Sequence, residues 1–177
     1  EQTAVAGGAV MRTVNVLMFG TGEYTTGYTP SGASKSDKST GVVALVMLDL
    51  RRRGKVGTLG MVGTNGRKMP DVREHMQRVL GDVYDGIEPA CIRTWPADDE
   101  VDAFAYKKAV AAFSPGDVAI IFTPDDTHHA IAEECLLHGM HVLITKPPAK
   151  SLAEHSAIAA AAMAAGRLCA IEVHKRY

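Results

Sequence analysis

Strand-like and helix-like segments alternate along this chain, and the strand-like segments are continuous apolar runs. Strands that are apolar on both sides are buried on both faces, as in a parallel sheet covered by helices. The pattern predicts strands at residues 14–19, 56–64, 90–95, 117–122, 141–145 and 168–173, and helices at 41–53, 70–80, 100–113, 127–137 and 151–165. We therefore expect an α/β fold with a doubly wound parallel sheet over residues 14–177, after a flexible lead-in at residues 1–13.

The charge and cysteine content exclude several classes of protein. A formal net charge of −1 gives no electrostatic reason to bind nucleic acid or an acidic membrane surface. The sequence has no run of 18 apolar residues and no signal-peptide pattern, so we expect a cytoplasmic protein without a membrane partner. The three cysteines are scattered and form no CxxC pair, which favours free thiols in a reducing compartment over a disulfide framework or a zinc site.

Two glycines, Gly20 and Gly22, follow the first predicted strand. Glycine accepts a positive φ and lets a ligand approach the backbone, so this turn is a candidate pyrophosphate loop. The third glycine of the dinucleotide fingerprint is replaced by Thr25, and a plain strand-ending turn is the alternative interpretation. The candidate cofactor-binding residues of this loop are Gly20, Thr21, Gly22, Glu23, Tyr24 and Thr25.

The end of the second predicted strand suggests which nicotinamide cofactor would be preferred. An acidic residue usually binds the adenosine ribose there, whereas this chain has the neutral Asn65 followed by Arg67 and Lys68. Cations favour a 2′-phosphate, so the three residues are candidates for cofactor binding and favour NADP over NAD. A solvated basic turn is the alternative.

Two other possible sites are rejected on their spacing. Residues 32–39 have the lysine–serine end of a P-loop, but Asp37 stands where its second glycine should be, and this opposes a phosphate cradle. The segment belongs to a loop, residues 28–40, that is long for a strand-to-helix connection. His128, His129, Glu133 and Glu134 match no zinc pattern, so we predict no metal site.

Lys146 is the candidate catalytic residue. It directly follows a predicted buried strand and precedes two prolines, which cannot continue a sheet and which stiffen the turn. A lysine held at the floor of a cofactor cleft can hydrogen-bond a substrate oxygen and help move its proton. A surface lysine whose aliphatic chain packs along the protein is the alternative.

Two motifs resemble the glucose–fructose oxidoreductase and inositol dehydrogenase family (Gfo/Idh/MocA). The family pattern T-P-x-x-x-H is similar to TPDDTH at residues 123–128, and G-x-H-V-x-x-E-K-P is similar to GMHVLITKP at residues 139–147. IEVHKRY at residues 171–177 resembles the strand that follows in that family. The resemblance covers residues 14–177, is strongest after Asp117, and implies a Rossmann-type dinucleotide-binding domain.

The resemblance also implies an activity. Family members are NAD(P)-dependent oxidoreductases that act on CH–OH groups and interconvert an alcohol and a carbonyl on a sugar, cyclitol or similar polyol. Lys146 would contact the reacting oxygen. The residues that would line the nicotinamide side are Thr123, Pro124, His128, Thr145 and Lys146. Thr145 departs from the family pattern, which has a glutamate beside the lysine.

Family members continue into a second α/β domain that binds substrate, and we expect this domain after residue 177. A homo-oligomer formed through that domain is expected as well, and the first domain alone would be inactive. The alternative function is a non-catalytic NAD(P)-binding sensor or interaction module that lacks a substrate domain. An ATP-using protein is a more distant third possibility.

Overall fold

A computed structural model describes residues 5–6, 9–10 and 13–173. The predicted lead-in, residues 1–13, lies largely outside the described residues; within it Val5–Ala6 and Ala9–Val10 pair as two antiparallel strands. Residues 174–177 of the predicted domain also lie outside.

Six parallel strands form the central sheet: β1 (Val14–Phe19), β2 (Val56–Val62), β3 (Arg93–Trp95), β4 (Val118–Ile121), β5 (His141–Thr145) and β6 (Cys169–Glu172). Their order across the sheet is β6-β5-β4-β1-β2-β3, with every neighbouring pair parallel. This is the doubly wound order of the Rossmann fold, so the predicted fold class is confirmed.

Within the described residues, six α-helices connect the strands: α1 (Glu23–Thr26), α2 (Val43–Arg52), α3 (Met69–Met76), α4 (Ala105–Ala111), α5 (His128–Leu137) and α6 (Leu152–Ala165). Helix α6 begins at a capping box, in which Ser151 accepts a bond from the Glu154 N–H and the Glu154 carboxylate accepts one from the Ser151 N–H. Helix α2 ends with cations in its last turn and with Gly54 at a φ of 67°.

The apolar residues of β1 divide between two cores. Leu17 and Phe19 join one cluster with side chains of α4, α5 and α6, and Val16 and Met18 join the other with side chains of α2 and α3. A strand that is apolar on both faces is thus buried on both faces, as its sequence predicted. The three cysteines are free thiols.

The predicted helix at residues 100–113 is wrong over its first turns. Helix α4 starts at Ala105, and the preceding segment runs back along the end of β2, where Val101 bridges Asn65. The spacing of Val101 and Phe104 in the sequence is that of the buried face of a helix, yet the two residues are 63% and 64% exposed. The Asp102 carboxylate accepts a bond from the Phe104 N–H and ends the irregular segment just before the helix.

Candidate functional site

A cavity of about 740 Å³ lies at the carboxyl ends of the central strands. The register aligns Phe19, Val62, Ile121 and Ile144 across four strands, so the residues that follow them form the cavity's edge. The predicted site residues that line it are Gly20, Thr21, Gly22, Glu23, Tyr24, Thr123, Pro124, Thr145 and Lys146. Turns that are a hundred residues apart in sequence therefore meet at one place.

The glycine turn is held by both of its neighbouring strands. The Gly20 N–H donates to Val62 O at 2.9 Å, and the Phe122 N–H donates to Phe19 O at 3.0 Å. Gly20 has a φ of 102°, and a Cβ at this position would overlap the Phe122 carbonyl. Gly22 has open space around it, so a ligand can approach its backbone. These features fit the close approach of a pyrophosphate.

Thr25, which replaces the third glycine, is buried and does not line the cavity. Its hydroxyl faces Gly20, where a Cβ would lie 3.6 Å from it, at ordinary van der Waals distance. The next residue, Thr26, braces the turn, because its hydroxyl is 3.0 Å from Thr21 O and 3.2 Å from Gly22 O. The loop thus departs from the usual fingerprint without losing its tight geometry.

The helix after the glycine turn is interrupted by the loop of residues 28–41. The chain leaves the helix at Gly27, whose N–H still donates to Glu23 O. The next helical acceptor, Tyr24 O, takes its bond at 2.8 Å from the N–H of Val42, fourteen residues later than a continuous helix would supply it. Helices α1 and α2 therefore continue each other, with residues 28–41 inserted between them.

The inserted segment folds back on the cavity wall. The hydroxyls of Ser34 and Ser36 donate to the Glu23 carboxylate, and the Lys38 ammonium lies 4.8 Å from the centre of the Tyr24 ring. The bonds from Ser34 and Ser36 hold the pKa of Glu23 below its ordinary value, so this carboxylate stays charged and directed at the insertion. Glu23 and Tyr24 both line the cavity, so the insertion supports that wall.

The basic turn after β2 lies beside the cavity and does not line it. The side chain of Asn65 accepts a bond from the Arg67 N–H at 3.1 Å and caps a short 3-10 helix, Gly66–Lys68. Arg67 and Lys68 are exposed. Thr64, one residue before Asn65, does line the cavity.

His128 was predicted to line the nicotinamide side of the site, but it lies behind the residues that line the cavity. It is fully buried and does not line the cavity. Its Nδ1 is 2.8 Å from Pro147 O and its Nε2 is 2.9 Å from Thr123 O. The imidazole thus joins the turn after β4 to the turn after β5, and both turns line the cavity. Its role in the structure is to hold the lining residues.

Lys146 is exposed in the cavity, and no described residue forms an ion pair with it. Its neighbour Thr145 pairs in register with Glu172 on β6, and the Thr145 hydroxyl is 3.4 Å from the Glu172 carboxylate. A carboxylate from the neighbouring strand therefore lies beside Thr145, the residue that stands where the family pattern has its glutamate. The sequence did not indicate this, because the two residues meet only through strand pairing.

Several lining residues were missed by sequence reasoning: Thr64, Ala103, Phe104, Tyr106, Phe122, Asp125, Asp126, Thr127, Ala130 and Ile131. Thr127 is the N-cap residue of α5, but its side chain caps no helical N–H. The Thr127 hydroxyl instead bonds Pro124 O at 2.7 Å and the Thr123 hydroxyl at 2.8 Å, bracing the turn after β4. The signal for Phe104 was misread, since its spacing matched a helical stripe.

The part of the chain that the structure describes contains neither a membrane-spanning helix nor a metal-binding cluster. No helix there is long and apolar enough to cross a membrane. No three histidine, cysteine or acidic side chains in it are grouped closely enough to hold a metal ion.

Comparisons with known proteins agree on the fold. Residues 14–173 match the Gfo/Idh/MocA family, described as "Oxidoreductase family, NAD-binding Rossmann fold". No curated protein matches the chain.

Solved structures with this fold include three oxidoreductases. An NAD-binding oxidoreductase from Klebsiella pneumoniae is 16% identical, with a TM-score of 0.55, and the match covers 91% of this chain and 34% of that one. WlbA dehydrogenase from Bordetella pertussis, in complex with NADH and UDP-GlcNAcA, is 15% identical, with a TM-score of 0.56 and coverages of 91% and 37%. Biliverdin reductase from Synechocystis, in complex with biliverdin and NADP+, is 18% identical, with a TM-score of 0.53 and coverages of 90% and 37%. The chain thus spans little more than a third of the length of these structures.

Proposed function

The chain belongs to the Gfo/Idh/MocA oxidoreductase family with its NAD-binding Rossmann fold, and on that premise we propose that it is the cofactor domain of an NAD(P)-dependent oxidoreductase that interconverts an alcohol and a carbonyl. One observation carries the proposal. The glycine turn, the Thr123–Pro124 turn and the Thr145–Lys146 turn all line one cavity. Parallel sheets of this kind bind ligands at the carboxyl ends of their strands.

The two halves of the sheet would bind different parts of the cofactor. Gly20 and Gly22 would receive the pyrophosphate, because one sits in a tight turn and the other leaves its backbone open. Thr123, Pro124 and Thr145, at the ends of β4 and β5, would line the nicotinamide side. A nicotinamide held by these residues would supply hydride transfer from the alcohol carbon, or to the carbonyl carbon in the reverse direction.

Lys146 would act on the substrate oxygen. Lys146 is exposed and lines the cavity, and no described residue forms an ion pair with it, so it is available to a ligand. A hydrogen bond from the Lys146 ammonium polarises a carbonyl and stabilises the negative charge that develops on its oxygen as a hydride arrives. The proton that completes the alcohol would pass through the same residue.

The substrate proposed is a sugar, cyclitol or similar polyol. The support is the family and the UDP-sugar bound by the WlbA dehydrogenase. Biliverdin reductase shows that the same fold also serves a different reduction. A substrate panel should therefore contain polyols, nucleotide sugars and biliverdin.

Titration with NADPH and NADH, followed by the fluorescence of the reduced nicotinamide, tests the cofactor assignment. Binding of at least one cofactor is expected, and binding of neither would overturn the proposal. Turnover of the substrate panel by the chain extended through its second domain tests the reaction. Cofactor binding without turnover, unchanged in a Lys146→Ala variant, would favour the sensor function instead.

A further inference from the structure

Phe104 is a large apolar side chain that is 64% exposed and lines the cavity. Single exposed apolar residues are common on protein surfaces and need no explanation by themselves. Phe104 differs because its exposed surface lines a cavity of about 740 Å³ and its backbone is fixed. A rigid aromatic ring at the wall of a cavity offers a flat surface for a ligand.

Backbone hydrogen bonds fix the segment that carries this ring. The Gly66 N–H donates to Glu100 O at 2.8 Å, and the Asp102 N–H donates to Thr64 O at 2.9 Å. The Asp102 carboxylate then accepts a bond from the Phe104 N–H at 2.8 Å. Phe104 is therefore tied to the end of β2 even though it lies forty residues further along the chain.

The end of β2 is the adenosine side of a doubly wound sheet, because the first half of the fold binds the adenine nucleotide. Thr64, at that end, lines the cavity together with Ala103 and Phe104. Lys107 and Tyr106 lie beside the ring, with the ammonium 6.0 Å from its centre and the Tyr106 ring centre at 6.4 Å. The strand order places β2 three positions from β5, so the ring is held away from the Lys146 turn, on the side where a planar base would need an apolar neighbour.

We propose that Phe104 stacks on the adenine ring of the bound dinucleotide and is the principal apolar contact of the adenosine half. The proposal rests on the proposed function, since it presumes that the cavity takes a dinucleotide. Every base has a π-face, and a protein aromatic ring stacks on it without the need for hydrogen bonds. The same ring would leave the nicotinamide half of the cofactor untouched.

The test compares two half-cofactors by isothermal titration calorimetry. ADP represents the adenosine half, and nicotinamide mononucleotide represents the other half. Phe104→Ala should weaken ADP and NADPH binding about tenfold, which is the lower part of the range for loss of one base–aromatic stack. Binding of nicotinamide mononucleotide should not change. Phe104→Tyr should retain ADP affinity, whereas Phe104→Leu, which is apolar without a π-face, should not.

Val101→Ala is the matched control. Val101 is 63% exposed on the same segment but does not line the cavity, so its truncation should leave all the affinities unchanged. Unchanged ADP and NADPH binding in Phe104→Ala, or an equal loss for nicotinamide mononucleotide, would overturn the inference and leave the cofactor assignment standing. If the unmodified chain binds neither NADPH, NADH nor ADP, the proposed function and this inference fail together.

Discussion

The imidazole of His128 joins two turns that are distant in sequence, and its loss should loosen both. Truncation to alanine would remove a fully buried imidazole together with its contacts to the carbonyls of Thr123 and Pro147. Because a void would replace the buried ring and its hydrogen bonding would be lost, His128→Ala should lower the free energy of unfolding by about 2–4 kcal/mol. Urea denaturation measures this, with exposed His155→Ala as the control. Equal stability of the two variants would show that the imidazole bonds contribute little.

Arg67 gives a prediction about cofactor choice. If its guanidinium binds a 2′-phosphate, Arg67→Ala should weaken NADPH by about tenfold and leave NADH unchanged, because only NADPH carries that group. Parallel titrations of the two cofactors measure the effect. Arg93→Ala is a suitable control, since Arg93 is an exposed arginine whose guanidinium lies over the Trp95 ring. Equal weakening of both cofactors by Arg67→Ala would argue against the assignment.

At the scale of elements, the interrupted helix makes the clearest prediction. The Val42 N–H already donates the hydrogen bond that the residue after Gly27 would donate in a continuous helix. Deletion of residues 28–41 should therefore let α1 and α2 merge into one helix. The shortened chain should unfold cooperatively, with its helical circular dichroism per molecule retained, because shortening a surface loop changes its closure entropy only slightly. Loss of cooperative unfolding would show that the insertion is needed for the fold.

Alanine substitution at two glycines tests independently how closely the chain packs where α1 and α2 meet. Gly41 and Gly54 have nearly the same φ, 69° and 67°, so alanine is strained to a similar degree at both. A Cβ at Gly41 would overlap the backbone of Thr25 and Thr26, whereas one at Gly54 meets nothing within 4 Å. Gly41→Ala should therefore destabilise the chain more than Gly54→Ala does. Similar urea midpoints for the two variants would contradict the close approach.

The helices and strands also show which parts of the structure the sequence predicts. Strands β1, β4 and β5 were predicted closely, because a continuous apolar run next to a turn has few other interpretations. The start of α4 was missed because Val101 and Phe104 are spaced like a helical face, while the bonds that hold them come from the end of β2. The lining of the cavity was predicted where it follows strand ends and missed where it depends on contacts between distant segments, as for Phe104.

For the whole molecule, His75 links stability to pH. It is 2% exposed on α3, with the Tyr28 ring of the insertion 5.9 Å away. Burial, assisted by the charge of Arg78, lowers the pKa of His75 from 6.5, and the nearby carbonyls of Ser39 and Thr26 only partly oppose this. The unfolded chain thus binds the proton more readily, so the stability contributed by His75 is present above pH 6.5 and is lost as the pH falls towards the lowered value.

His75→Gln removes this titration. Urea unfolding of the variant at about pH 7.5 and about pH 5.5 should show a smaller loss of stability on acidification than the unmodified chain does. His155→Gln, at an exposed position on α6, should leave the pH dependence unaltered. An unchanged pH dependence in His75→Gln would show that other groups determine the acid response.

Because Gly27 and Gly41 lie against each other, the chain can accept additional residues between them. The ends of the inserted segment touch, so the register of the sheet does not depend on how many residues lie between them. Residues added between these two glycines have an entropic cost that grows only with the logarithm of the loop length, and they leave every strand in place. The end of the first turn of this helix is thus a suitable insertion site. A fluorescent domain inserted there would lie within a few residues of the cavity wall and would report ligand occupancy.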